Sequence, residues 1–151
     1  MGKSRTYPPG AKPLTFAEFK AIYSKVPRLC VDLVITSPEG VLLTLRDIDP
    51  WRNQWHLPGG TVLLGETMED AIKRVGLEEL GLEVEKDKVL GVVEFFNSEI
   101  GHNHSVSVTY LVKILNGELQ INNEALAAKY FKELPENTII EHKKFLEGIK
   151  F

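Results

Sequence analysis

The stretch that decides the fold is residues 59–82, Gly59-Gly60-Thr61-Val62-Leu63-Leu64-Gly65-Glu66-Thr67-Met68-Glu69-Asp70-Ala71-Ile72-Lys73-Arg74-Val75-Gly76-Leu77-Glu78-Glu79-Leu80-Gly81-Leu82. It predicts a helix over Met68–Leu80, with Thr67 as the N-cap and Gly81 as the C-terminal stop. At about 100° per residue, Met68, Ala71, Ile72 and Val75 form one apolar stripe. Glu79 projects into the middle of that stripe and Glu78 lies at its edge. A carboxylate on a buried face is costly unless something pairs with it. One reading is an ion pair with Arg74, or a rotation that turns Glu79 outward. The other is a metal site, because hard oxygen donors on a rigid helix beside a glycine-rich turn suit magnesium bound to a diphosphate.

Working outward, Thr15-Phe16-Ala17-Glu18 has the form of a capping box. A short helix is expected from there to about Lys25, with Phe16, Phe19, Ile22 and Tyr23 on one side and Pro27 closing it. Residues 29–37 read as a strand, residues 37–40 as a turn, and residues 41–46 as the returning strand. A polar loop, residues 47–54, leads into Trp55-His56-Leu57-Pro58-Gly59-Gly60. After the central helix come a strand at 89–97, a loop at 98–103 and a long strand at 104–115, in which Val106, Val108, Tyr110 and Val112 share a face. Asn116-Gly117 is a hairpin signal. Residues 129–131 read as a short strand, and Asn137 as the cap of a last helix through Phe145 and Leu146. The fold class is α/β (α+β), a mixed sheet sandwiched between helices. Residues 1–13, rich in Pro, Gly and Lys, read as a flexible arm, and residues 14–151 as one domain.

The chain has 151 residues and a formal net charge of -3. That size suits a single domain that needs no disulfide to fold. The charge argues against nucleic-acid binding, so an anionic substrate must be met by local cations or a metal. Cys30 is alone, which excludes an intramolecular disulfide and fits a reducing, cytoplasmic setting. No apolar run is long enough to span a bilayer. Met1-Gly2-Lys3-Ser4-Arg5-Thr6 fits a loose myristoylation pattern, but reads better as an ordinary loose start. The expected partners are a small-molecule nucleotide, neither nucleic acid nor membrane, and at most a second copy of the chain.

Gly60, Glu66, Arg74, Glu78, Glu79, Gly81 and Leu82 fall on the spacing of the Nudix box, and the chain resembles that family over most of its length. Trp55…Leu57-Pro58-Gly59-Gly60 before the box and Glu124…Lys129-Tyr130-Phe131…Glu133-Leu134-Pro135 after it are also typical. The resemblance implies the Nudix fold, magnesium (with manganese able to replace it), and hydrolysis of a nucleoside diphosphate linked to another group. It implies that Arg74 pairs with Glu66 to hold the loop against the helix. It makes Glu79, Glu78 and the Gly59 carbonyl metal ligands.

The pattern breaks at two positions. The family has Glu after the Arg and an aliphatic residue next; here they are Val75 and Gly76. GDP-mannose mannosyl hydrolases are a branch lacking that Glu, and the chain is most similar to them. That likeness implies attack at the sugar's anomeric carbon, with His104 as general base. It implies Arg46 on the diphosphate, Phe19 and Asp32 as substrate-binding residues, and Asn103 as a side-chain metal ligand. Two departures stand against it: Thr61 follows Gly60 where those enzymes have an arginine, and Glu78 is kept where they have a neutral residue.

Each of these residues also has a plainer reading: Asp32 as a solvent-facing strand residue, Arg46 as a strand-end charge, Phe19 as core, His102 and His104 as loop histidines, and His56 as structural. The leading function is cleavage of a nucleotide sugar such as GDP-mannose into nucleoside diphosphate and sugar. The first alternative is a standard Nudix pyrophosphatase cutting P–O–P, with Glu78 as base. The second is a non-catalytic, nucleotide-sensing Nudix domain.

Overall fold

The computed structural model describes residues 13–49, 51–96 and 104–149. Residues 1–12 of the N-terminal arm and the whole loop at 98–103, with His102 and Asn103, lie outside them. Among the described residues the order is α1 (Phe16–Tyr23), β1 (Arg28–Val34), β2 (Thr36–Ser37), β3 (Gly40–Arg46), β4 (Trp55–His56), β5 (Gly59–Thr61), α2 (Met68–Leu80), β6 (Leu82–Phe96), β7 (His104–Gly117), β8 (Ala125–Phe131) and α3 (Ile140–Glu147). One sheet runs β5-β1-β7-β6; the other runs β2-β3-β4 with β8 paired to β3. All pairings are antiparallel except β1 with β7. The architecture is the expected α+β one of sheets flanked by helices.

The first sheet has two faces of different character. Val31 and Leu33 of β1, with Tyr110 and Val112 of β7, pack against Ala71, Ile72, Val75 and Leu80 of α2. Because side chains alternate along a strand, Arg28, Cys30 and Asp32 point the other way. Their partners in register are Ser105, Ser107 and Thr109 on β7, and Thr61 opposite Cys30 and Gly59 opposite Asp32 on β5. Ser105, Ser107, Thr109 and Asp32 are all buried there. Farther along that face Val93, Phe95 and Ile139 make a small apolar cluster with Trp51 and Phe145, so α3 covers it.

Four local expectations need correction. The strand read at 89–97 begins at Leu82, immediately after the helix stop. Gly81 is left-handed (φ 68°), which turns the chain straight into β6. Asn116-Gly117 closes no β7–β8 hairpin. Gly117 pairs with Leu82, and β8 joins the other sheet on β3. Asn137 does not cap α3. Its side-chain nitrogen donates to the Asn53 carbonyl at 2.9 Å, and Ile139 occupies the cap without a side-chain bond. The α1 helix carries the expected Thr15–Glu18 capping box but ends at Tyr23 and buries none of its residues.

Candidate active site

The loop before α2 is clamped by one side chain. Arg74 donates from Nε to Glu66 Oε2 at 2.7 Å and from Nη2 to Glu66 Oε1 at 2.9 Å, a bidentate fork. The same Nη2 donates to the Thr61 carbonyl at 2.7 Å, and Nη1 reaches Glu78 Oε2 at 3.2 Å. The Glu66 side chain is fully buried and also accepts from the Leu63 amide at 2.8 Å. The glycine turn, the loop and α2 are therefore one rigid unit. Arg74 is engaged by Glu66 and Glu78, so Glu79 is left to other neighbours.

Those neighbours come from outside the helix. Burial pushes the Glu79 carboxyl up to about 7, and the charges of Glu124 and Glu78 push the same way. A hydrogen bond from the Asn122 side chain and the charge of Arg46 pull it down. Arg46 is held below its ordinary value by burial first, while Glu124 and Glu79 oppose that shift. Its Nε donates to the Ile48 carbonyl at 3.3 Å. Glu124 and Asn122 reach the site because β8 pairs with β3 up to Arg46, opposite Ala125, and the Asp47 amide donates to the Glu124 carbonyl at 2.9 Å. The sequence reading quoted Glu124 only as part of a downstream pattern. Pairing of β8 with the strand that ends at Arg46 is the signal that would have found it.

The two box departures have packing explanations. Val75 is 2% exposed within the α2 core, and a Cβ on Gly60 would stand 3.1 Å from its Cγ2. Where a carboxylate would otherwise stand, a methyl group seals the helix against the turn. At Gly76 a Cβ would crowd Val84 Cγ2 of β6 at 2.6 Å. Glycine in mid-helix costs about 1 kcal/mol against alanine, and here it allows β6 to lie close on α2.

Asp32 is not solvent-facing. It is 6% exposed, and its Oδ2 accepts from His142 Nε2 at 2.8 Å. His142 Nδ1 in turn accepts from the Leu57 amide at 3.2 Å, which fixes the proton of the neutral ring on Nε2. A Cβ on Gly59 would collide with Asp32 Oδ1, so only glycine fits opposite it. His56 is structural, as expected. Its Nδ1 donates to the Leu57 carbonyl at 2.7 Å and its Nε2 accepts from the Thr44 hydroxyl at 3.1 Å. Burial first, and the nearby Arg46 charge, push its pKa down to about 3. The sequence reading did not single out His142.

On the opposite face of β7 from Ser105, His104 stacks on Phe96 with ring centroids 4.6 Å apart. Its Nε2 is buried and has no hydrogen-bond partner among the described residues. Phe19 lies over the Arg28 guanidinium at 5.4 Å and meets Tyr23 edge-on at 4.8 Å, placing it outside the core. Arg28, which the sequence reading passed over, donates from Nε to Ser105 Oγ at 3.2 Å and from Nη1 to Thr61 Oγ1 at 2.9 Å. Thr61 is thus held by two arginines, one on its carbonyl and one on its hydroxyl.

The donors around Glu79 are all hard oxygens with surplus negative charge, which fits a divalent cation such as magnesium. Among the described residues no three acidic, His or Cys side chains converge tightly enough to hold an ion by themselves. Backbone and water oxygens would have to complete the shell, as magnesium commonly allows.

The profile of the NUDIX domain matches residues 26–148. The chain belongs to the Nudix family. Among curated relatives, the low-salt glycan biosynthesis protein Agl8 of Haloferax volcanii is 37% identical over 120 residues, which is 76% of this chain and 77% of that protein. The ADP-ribose pyrophosphatase of Methanocaldococcus jannaschii is 31% identical over 123 residues, covering 80% and 72%. Among solved structures, the MutT NUDIX hydrolase of Burkholderia pseudomallei superposes with a TM-score of 0.76 at 28% identity, over 83% of this chain and all of that one. This Nudix chain is an enzyme of the hydrolase class, whose members act on small nucleotide-containing substrates and generally use divalent metals. Among the described residues no helix is long and apolar enough to cross a membrane.

Proposed function

We propose that this Nudix hydrolase uses magnesium to cleave a nucleotide sugar at the glycosyl C–O bond, releasing nucleoside diphosphate and free sugar. The observation that carries this is Val75. The position next to Arg74 is a sealed core contact, so beyond Arg74 the helix offers only Glu78 and Glu79 as carboxylates. Glu78 is already engaged by Arg74, which favours a base outside the helix. His104 suits that role, since its buried Nε2 has no competing partner among the described residues. The glycan-related name of the Haloferax relative is in keeping with a sugar substrate.

In this reading the metal is held by Glu79 and the Gly59 carbonyl, with Glu78 and Asn103 as further donors. Bound there, magnesium would neutralise diphosphate oxygens and so stabilise the leaving group. Arg46 adds positive charge to the same diphosphate. His104 takes a proton from the attacking water at Nε2. Asp32 serves the site from beneath, holding the turn through His142, and Phe19 covers the substrate side of β1. The buried Cys30 thiol, pushed up to about 11 chiefly by burial, is inert and suits the reducing cytoplasm.

The Methanocaldococcus relative, an ADP-ribose pyrophosphatase, favours a second reading in which water attacks phosphorus. There Glu78 would serve as base. A purely sensing domain is disfavoured by the intact set Glu66, Arg74, Glu78 and Glu79. The test is incubation with a panel of nucleotide sugars and ADP-ribose, with and without magnesium, followed by product identification. Nucleoside diphosphate plus free sugar is expected; nucleoside monophosphate plus sugar phosphate would overturn carbon attack.

A further inference from the structure

Arg28 is a half-buried cation that meets no anion among the described residues. Its guanidinium has five N–H groups, and two of them go to neutral hydroxyls, Ser105 Oγ and Thr61 Oγ1. Among the described residues no carboxylate lies within ion-pair distance of it. Asp32, two residues along the same face, is committed to His142. Phe19 covers one face of the guanidinium. A charge so placed has been partly stripped of water and given only dipoles in return, an arrangement that favours an incoming anion.

Its position is equally specific. Thr61 immediately follows the Gly59-Gly60 turn, and Ser105 immediately follows His104. The two hydroxyls hold the guanidinium on the polar face of β1, between β5 and β7. Arg46 feels the Arg28 charge, which adds to the downward push of burial. Arg46 in turn feels the charges of Glu124 and Glu79, so guanidinium groups and carboxylates adjoin here across a change in the sign of the field. A metal-bound diphosphate has the charge to bridge it.

We propose that Arg28 binds the substrate's diphosphate directly, as a second guanidinium beside Arg46, with Thr61 and Ser105 orienting it and Phe19 restricting its motion. The proposal rests on the reading that a phosphate-bearing nucleotide is the substrate. It names a binding residue, supplied from strand β1, that neither the box nor the loop after it contains.

The test is calorimetric titration of pyrophosphate, in excess magnesium, into the full chain and its Arg28→Met and Arg28→Lys variants, each checked for an unchanged unfolding midpoint. Arg28→Met should weaken binding by about tenfold or more, the scale of one lost charge-assisted pair. Arg28→Lys should keep part of the affinity, because it retains the charge but not the fork. If Arg28→Met misfolds, the lysine variant alone still reads the lost fork. Wild-type affinity in either folded variant overturns the proposal, as does a wild-type chain that binds no pyrophosphate at millimolar concentration. The outcome is separable from the substrate reading. A chain that hydrolyses no nucleotide in the panel yet loses pyrophosphate with Arg28 refutes only the latter.

Discussion

His142 on α3 donates to Asp32 on β1 at 2.8 Å, across 110 positions of sequence, and both groups are buried. The same imidazole accepts the Leu57 amide at 3.2 Å. One side chain therefore ties the last helix, the first strand and the turn carrying Gly59 together.

The first prediction follows from that tie. His142→Phe leaves the Asp32 carboxylate and the Leu57 amide buried without partners, and should cost about 3 kcal/mol of stability. Asp32→Asn keeps an acceptor for Nε2–H and should cost only about 1 kcal/mol. Denaturant midpoints of the two variants and of the double variant check this. Equal losses would mean that His142 only fills space.

Val75→Glu restores the carboxylate that the box pattern has beside Arg74, but places it where a methyl group packs on Gly60 inside the α2 core. The expected result is a loss of roughly 2 kcal/mol or more in stability and no large gain in turnover. A strong rise in pyrophosphatase rate would show instead that the site is a standard one lacking a single residue.

One contribution to the pH dependence of stability can be assigned to His56, and Glu79, raised to about 7 in the fold, contributes with the opposite sign over much of the same range. The folded pKa of His56 lies near 3 against an ordinary 6.5. Above pH 6.5 the ring is neutral in both states and contributes nothing. Between those values the unfolded chain takes up a proton that the folded chain refuses, so this contribution to stability falls as pH drops. The slope approaches about 1.4 kcal/mol per pH unit. Unfolding free energies of the wild type and His56→Gln, measured from pH 7.5 down to about 4.5, should diverge below 6.5. Parallel curves would show that the buried ring is not protonated on unfolding.

Much of this site was legible because its spacing is local. Thr67, Gly81 and the Arg74–Glu66 clamp all lie within residues 59–82, where helical periodicity and capping rules apply directly. What stayed hidden depends on long-range register. Glu124 reaches Glu79 only because β8 pairs with β3, and Asp32 meets His142 only because α3 covers the polar face of the first sheet. Arg28 carried no local signal, because its partners Ser105 and Thr61 lie 77 and 33 positions away. The Asn116-Gly117 signal misled for the same reason: a turn dipeptide sets a bend, but not which sheet the next strand joins.

Glu79 is surrounded by Glu78, Glu124, Asn122 and Arg46. Glu79→Gln keeps the shape and the Asn122 contact but removes the charge that would hold the metal. Turnover should nearly vanish, a loss of several kcal/mol in transition-state stabilisation, while the fold persists. Near-wild-type activity at saturating magnesium would mean that the metal lies elsewhere. Manganese binding followed by electron paramagnetic resonance gives a reading independent of turnover and should weaken in the same variant.

The last prediction concerns the bond that is cut. His104 stands at the first residue of β7, stacked on Phe96, with its Nε2 buried and unpartnered among the described residues. A general base there accepts a proton only as the neutral imidazole. His104→Gln removes the base while keeping a polar side chain, and should lower turnover by about 100-fold or more. His102→Gln, two residues earlier in the chain, should do much less. Hydrolysis in oxygen-18 water reads the chemistry without any variant. Label in the free sugar places the attack at carbon, where His104 would serve it. Label in phosphate or a nucleoside monophosphate places the attack at phosphorus, assigns the base to a carboxylate, and makes the chain a pyrophosphatase with an unusual box.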